Sequence, residues 1–148
     1  MSYTAESIRN EALQERDYAV SLRRYFHTHP ELPREEWGTA ERIEKELHEL
    51  GLETVRVGET GVYAMLEGEE KGGRVILRAD IDALPVTETH MCPYRSVNEG
   101  KMHACGHDMH ASMLLGTAKL LCSLRDEFCG TVKLIFQMAE EIGRKSEE

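Results

Sequence analysis

The sequence predicts an α/β fold, a layered sheet flanked by helices, and three observations predict it. Two charged, amphipathic segments come first; short runs rich in β-branched and aromatic residues come next, separated by Gly-containing turns; a further helical segment then leads into a last apolar strand. Helical and strand periodicities interleaved along one chain are what helices layered on a sheet produce. At 148 residues the chain is about the size of one ordinary domain, enough to bury a core without disulfides.

Taken in order, residues 5 to 27, "AESIRNEALQERDYAVSLRRYFH", place Ile8, Leu13, Val20, Leu22 and Phe26 among charges without Gly or Pro, which predicts one amphipathic helix. It stops at "HTHPELP", where Pro30 and Pro33 forbid continuation. A second helix is predicted over 39 to 50, with Ala40, Ile43, Leu47 and Leu50 on one face and Gly51 at the C-terminal cap. "LETVRV", "GVYAMLE" and "RVILRADI" read as strands. "RVILRA" is apolar nearly throughout its middle, as expected of a central strand covered on both faces. After a loop from about 83 to 102, a third helix over 108 to 125 carries Met113, Leu114, Ala118, Leu121 and Leu124, and "GTVKLIFQ" is a strand that runs into "MAEE". The chain shows no internal repeat, low-complexity tract or linker.

Bulk properties narrow the function classes. Hydrophobic content of 41% with 30% charged residues describes a globular chain rather than a disordered one. A formal net charge of −9 and no basic stripe argue against a nucleic-acid partner, because phosphate binding needs clustered Lys and Arg. No apolar run approaches the ~18 to 20 residues of a spanning helix, and "MSYTAESIRN" lacks a basic region followed by an apolar stretch, so the expected compartment is the cytoplasm with no membrane partner. Cys92, Cys105, Cys122 and Cys129 lack CxxC spacing; Cys122, in "KLLCSL", reads as a small buried hydrophobe, and Cys105, flanked by histidines, needs a chemical explanation.

Three polar clusters stand where an apolar strand ends or a helix begins. "RVILRADIDALP" ends a strand with Asp80 and Asp82, "HACGHD" leads into the third helix, and "FQMAEE" ends the last strand with Glu140 and Glu141. Ligand sites of open α/β sheets form at the carboxyl ends of strands, so the clusters are expected to converge. Cys105 and His107, at i and i+2 across a glycine, can turn toward one point, and thiolate with imidazole suits Zn²⁺ or a similar divalent ion. Of the adjacent Glu140 and Glu141, one can bind metal while the other holds a water, and Asp82 can orient a ligand histidine.

Other readings stay open at this level. "KMHACGHDMHAS" also fits a helix N-terminus capped by Asp108 with His103 and His110 nearby, or a cysteine nucleophile with a histidine base. The nucleophile reading leaves Glu140, Glu141 and Asp82 without a role. His27 and His29, beside Pro30, read as structural residues of a turn, and His48 and His90 as surface residues.

Together, "RRYFHTHPEL", "LRADIDALPVTE", "MHACGHDMHASMLLGTAKLL" and "GTVKLIFQMAEE" resemble, in order, the N-terminal part of M20-type metal-dependent amidohydrolases, the group of hippurate, N-acyl-amino-acid and auxin-conjugate hydrolases. The resemblance implies an exopeptidase-like catalytic domain holding two divalent ions, Zn, Mn or Co, with Cys105, His107 and Glu141 as ligands. Glu140 matches the general base and Asp82 the carboxylate that supports the centre. Asp80 stands where other branches place a histidine ligand, and His103, Asp108 and His110 line or support the site. In the family a water activated by metal loses a proton to the glutamate and attacks an amide carbonyl, and the same glutamate protonates the departing amine.

The chain departs from the family pattern in two respects. Met138 stands where the family has proline in "FQPAEE". Family members are also longer, so residues 1 to 148 correspond to a partial catalytic domain, the resemblance continuing through Gly143. The remaining histidine ligands, the lid or dimerisation domain and the returning catalytic segment are expected beyond Glu148. The expected substrate is a small N-acyl amino acid and the full-length form a homodimer through the lid. The chain alone is expected to bind metal weakly and turn over little, and the alternative is a non-catalytic metal-binding or complementing fragment.

Overall fold

The computed structural model describes residues 3–142, so Gly143, the last residue of the family resemblance expected from the sequence alone, lies outside the described residues. The elements are helices α1 (Ala5–Gln14), α2 (Arg16–Thr28) and α3 (Trp37–Glu49), strands β1 (Thr54–Val57), β2 (Gly61–Glu67) and β3 (Glu70–Asp80), helix α4 (His107–Ser123), a 3₁₀ turn (Arg125–Glu127) and strand β4 (Cys129–Gln137).

The single helix expected over 5 to 27 is two helices that meet at Glu15, whose backbone (φ −83°, ψ 1°) leaves helical geometry. Burial explains the break. Leu22 and Phe26 of α2 are fully enclosed, whereas α1 has no buried residue and Ile8, Leu13 and Val20 remain exposed, so the apolar stripe is not continuous. The joint is held to α4 by Lys119, whose Nζ lies 2.7 Å from Glu15. Helix α3 buries Ala40, Ile43 and Leu47 as its spacing predicts, and Gly51 takes the left-handed φ of 75° that ends such a helix.

The sheet runs in the order β1-β2-β4-β3, with β1 and β4 antiparallel to β2 and β3 parallel to β4. Alternation then sorts the side chains. Val62, Ala64 and Leu66 of β2, Ala79 of β3, and Leu134 and Phe136 of β4 point into one core with α2, α3 and α4, joined by Ala111, Leu114, Leu115 and Ala118. Each enclosed Leu, Ile or Phe contributes roughly 1.5–3 kcal/mol of apolar burial.

β3 differs from expectation. It is an edge strand, and Val75 and Ile76 are 54% and 64% exposed. An apolar run says that a strand can be covered on both faces; among the described residues only one face of the sheet carries helices. Among these residues, too, no helix is long and apolar enough to cross a membrane.

Candidate metal centre

Parallel pairing of β3 with β4 brings the polar clusters together. Asp80 at the end of β3 is in register with Gln137 at the end of β4, so the segments that leave these strands, Ile81-Asp82 and Met138 to Glu141, emerge side by side. The N-terminus of α4 meets them there. Gly106, with φ of 128°, turns the chain from Cys105 into His107, a conformation L side chains rarely adopt. Ala139 also has positive φ, 54°, and its N–H donates to Glu36 Oε1 at 2.8 Å. Glu36 is fully buried, its other oxygen accepting from the Thr60 hydroxyl, so this carboxylate fixes the turn that presents Glu140 and Glu141.

Asp82 is the hub. It is buried, its Oδ2 accepts from the Glu141 N–H at 2.8 Å, and His107 Nδ1 donates to its backbone carbonyl at 2.9 Å, with Oδ1 at 3.2 Å. Because a carbonyl oxygen can only accept, the His107 proton sits on Nδ1, and Nε2 keeps its lone pair. Nε2 lies 3.8 Å from Glu140 Oε2 and 3.9 Å from Glu141 Oε1. Donor atoms of Cys105, His107 and Glu141 all fall within 4.8 Å of one another.

This donor set fits a divalent cation. Ligands held at about 2.0–2.3 Å from one ion lie no more than about 4.6 Å apart, and small side-chain rotations bring these three into that range. Electrostatics point the same way. The Glu141 carboxylate beside Cys105, then burial, then the charges of Glu140 and Asp80, push the Cys105 thiol above its ordinary range. A cation is the natural partner for such convergent anions.

The surrounding residues divide in two. Asp80 and His110 stand on the open side: His110 Nδ1 is 3.8 Å from Asp80 Oδ2, its ring is stacked 5.4 Å from that of His107, and Arg78 holds Asp80 Oδ1 at 2.6 and 2.9 Å. Asp108 and His103 stand behind. Asp108 is not the helix cap that the sequence leads one to expect, since Gly106 occupies that position and α4 starts at His107. Its carboxylate is buried because it has polar partners: Oδ2 lies 2.7 Å from His27 Nδ1 and 2.9 Å from the Arg23 guanidinium Nε. His103 is buried, neither ring nitrogen has a partner among the described residues, and burial pushes it down to about 4, which leaves the ring neutral.

Sequence reasoning missed three residues that hold this arrangement. His27 is in the buried last turn of α2, clamped between Asp108 and Glu88 Oε1 at 3.2 Å, rather than serving only the turn beside Pro30. Glu88 comes from the 83 to 102 loop and also accepts from the Ser96 N–H at 2.7 Å. Glu36 is the third; "REEW" carries no local sign that one of its carboxylates is enclosed.

Comparison with known proteins places these features in a family. Residues 76–147 match the model of peptidase family M20/M25/M40. The chain is 43% identical over 140 residues to an N-acyl-L-amino acid amidohydrolase of Geobacillus stearothermophilus, covering 94% of this chain and 38% of the relative. It is 46% identical over 125 residues to an N-acetyl-L-cysteine deacetylase of Bacillus subtilis, covering 84% and 30%. Among solved structures it superposes on the YXEP protein of Bacillus subtilis, a dinuclear metal binding peptidase from the M20 family, with a TM-score of 0.82 and 45% identity over 85% of this chain and 36% of that one. The chain thus spans about a third of the length of these relatives, from 30% to 38%. Its strand-end carboxylates and its Cys-Gly-His turn lie within residues 76–147, the segment that matches the M20 peptidase family, and the chain is similar to members of that family in sequence and fold.

Proposed function

We propose that this chain supplies one wall of the metal centre of a hydrolase that cleaves the amide bond of N-acyl amino acids or related small amides. One observation carries the reading: Asp82 ties His107 and Glu141 to the same carboxylate, so that an imidazole lone pair, a carboxylate and the Cys105 thiol face one point. We assign Cys105, His107 and Glu141 as ligands. When bound, a pair of Zn, Mn or Co ions would supply Lewis acidity toward the amide carbonyl.

The other roles belong to the chain's own groups. Glu140 is the general base: its side chain is 43% exposed, beside the donor set but outside it, so it can take a proton from water and later return it to the departing amine. Asp82 fixes the His107 tautomer and the Glu141 backbone. Asp80 and His110 line the approach, and Asp108 and His103 buttress the helix that carries His107.

Three donors leave much of a two-ion centre open, so we place turnover in a longer form of the chain, a cytoplasmic homodimer. The test pairs metal binding with hydrolysis. Purified chain is loaded with Zn²⁺, Mn²⁺ or Co²⁺, and the hydrolysis of a simple N-acyl amino acid is measured for this chain and for one extended at its carboxyl end. The reading expects metal-dependent turnover in the extended chain that Glu140→Gln abolishes. Turnover that survives Glu140→Gln would remove the base, and turnover unaffected by Cys105→Ser would remove that ligand.

A further inference from the structure

We propose that Asp80 and His110 form a second seat for a divalent cation, alternative to the thiol-containing one and in competition with it for His107. The proposal rests on the reading of Cys105, His107 and Glu141 as a metal site and adds to it. Ligand atoms of Asp80, His107 and His110 also lie within 4.8 Å of one another, so His107 belongs to two converging groups. With Nδ1 donating to the Asp82 carbonyl, the ring has a single lone pair to give, and an imidazole nitrogen binds one ion at a time. The two seats are therefore exclusive, not the two halves of one dinuclear centre.

The second seat differs in chemistry and access. It offers one carboxylate and two imidazoles and no sulfur, so the oxygen-preferring Mn²⁺ meets no soft donor there, whereas the Cys105 thiolate favours a softer ion such as Zn²⁺. It opens to solvent through the groove between β3 and α4 lined by Leu77, Met113 and Thr117. Arg78 holds Asp80 Oδ1, but Oδ2 is the oxygen that faces His110, and the Arg78 side chain is 53% exposed at the solvent side of the groove. A hard ion is thus received at Asp80 and His110, and a softer ion draws His107 toward the thiolate.

The test uses the 148-residue chain stripped of metal, with Mn²⁺ affinity followed by the resonance of the free aqua ion and Co²⁺ binding by thiolate-to-cobalt charge-transfer absorption. D80N and H110Q should each weaken Mn²⁺ binding about tenfold or more, while C105S changes it less than about threefold. Co²⁺ should displace Mn²⁺ one for one. The cobalt band should persist in D80N and vanish in C105S. His110 is a half-exposed side chain, so H110Q keeps the test if D80N does not fold. Mn²⁺ affinity unchanged in H110Q, or Mn²⁺ and Co²⁺ bound together, would overturn the proposal. Absence of the cobalt band with the Mn²⁺ losses intact would support this seat and refute the Cys105 donor set, so the two readings fail separately.

Discussion

Asp82→Asn removes one charge from the hub of the centre while keeping its shape. In the native chain the carboxylate accepts from the Glu141 N–H at 2.8 Å and lies 3.2 Å from His107 Nδ1, which also donates to the Asp82 carbonyl at 2.9 Å. Asparagine can still accept from Glu141 with its oxygen, but its NH₂ then faces the Nδ1 proton, two donors in one place. A hydrogen bond to a charged acceptor is worth about 1 kcal/mol more than one to a neutral acceptor, so weakening two of them costs about 2 kcal/mol. That corresponds to roughly 30-fold, within the 10–100-fold typical of residues that orient metal ligands. Zn²⁺ titration calorimetry on wild type and D82N measures it. An affinity within threefold of wild type would refute the role given to Asp82.

The same geometry has other measurable consequences. His27→Ala leaves the buried Asp108 and Glu88 carboxylates without the ring nitrogen that each contacts, and should cost about 3 kcal/mol in guanidinium unfolding. Stability should fall with acid for two reasons. Burial alone would push Glu88 up, but the Ser96 N–H and His27 outweigh it and hold the carboxyl below its ordinary range, so its contribution is present above that range and lost as pH drops through the lowered value. His103, lowered to about 4, takes a proton in the unfolded chain near pH 6.5 but not in the folded one, so stability declines between those values, by up to about 3 kcal/mol, and His103→Leu should flatten that limb of a pH titration of unfolding. Ala139→Gly relieves a left-handed alanine, worth about 1–2 kcal/mol, against an unfolded-state entropy cost of about 0.4–1 kcal/mol, so the melting temperature should rise.

Much of the site was legible in the sequence because its parts obey local rules. An apolar strand that ends in "ADID" and another that ends in "AEE" put carboxylates at strand ends, and Cys-Gly-His before a helix puts two soft donors on one turn. What joins them is the parallel register of Asp80 with Gln137, which only tertiary pairing decides. Illegible residues were those whose role depends on a distant partner. Asp108 looked like a cap because Asp before a helix usually is one; 81 residues earlier, His27 supplies the hydrogen-bond partner that lets it be buried instead. Glu36 and Glu88, both buried, drew no notice in the sequence for the same reason. The helix break at Glu15 escaped notice because neither Gly nor Pro marks it, and β3 was placed at the centre because an apolar run reports what a strand can bury, not which neighbours it has.

The most direct test of the account is X-ray absorption at the zinc edge of the chain loaded with one equivalent of Zn²⁺. Convergence of Cys105, His107 and Glu141 predicts one sulfur at about 2.3 Å with nitrogen and oxygen at about 2.0–2.2 Å, the sulfur lost in C105S. A wild-type spectrum of nitrogen and oxygen alone, identical to that of C105S, would contradict it.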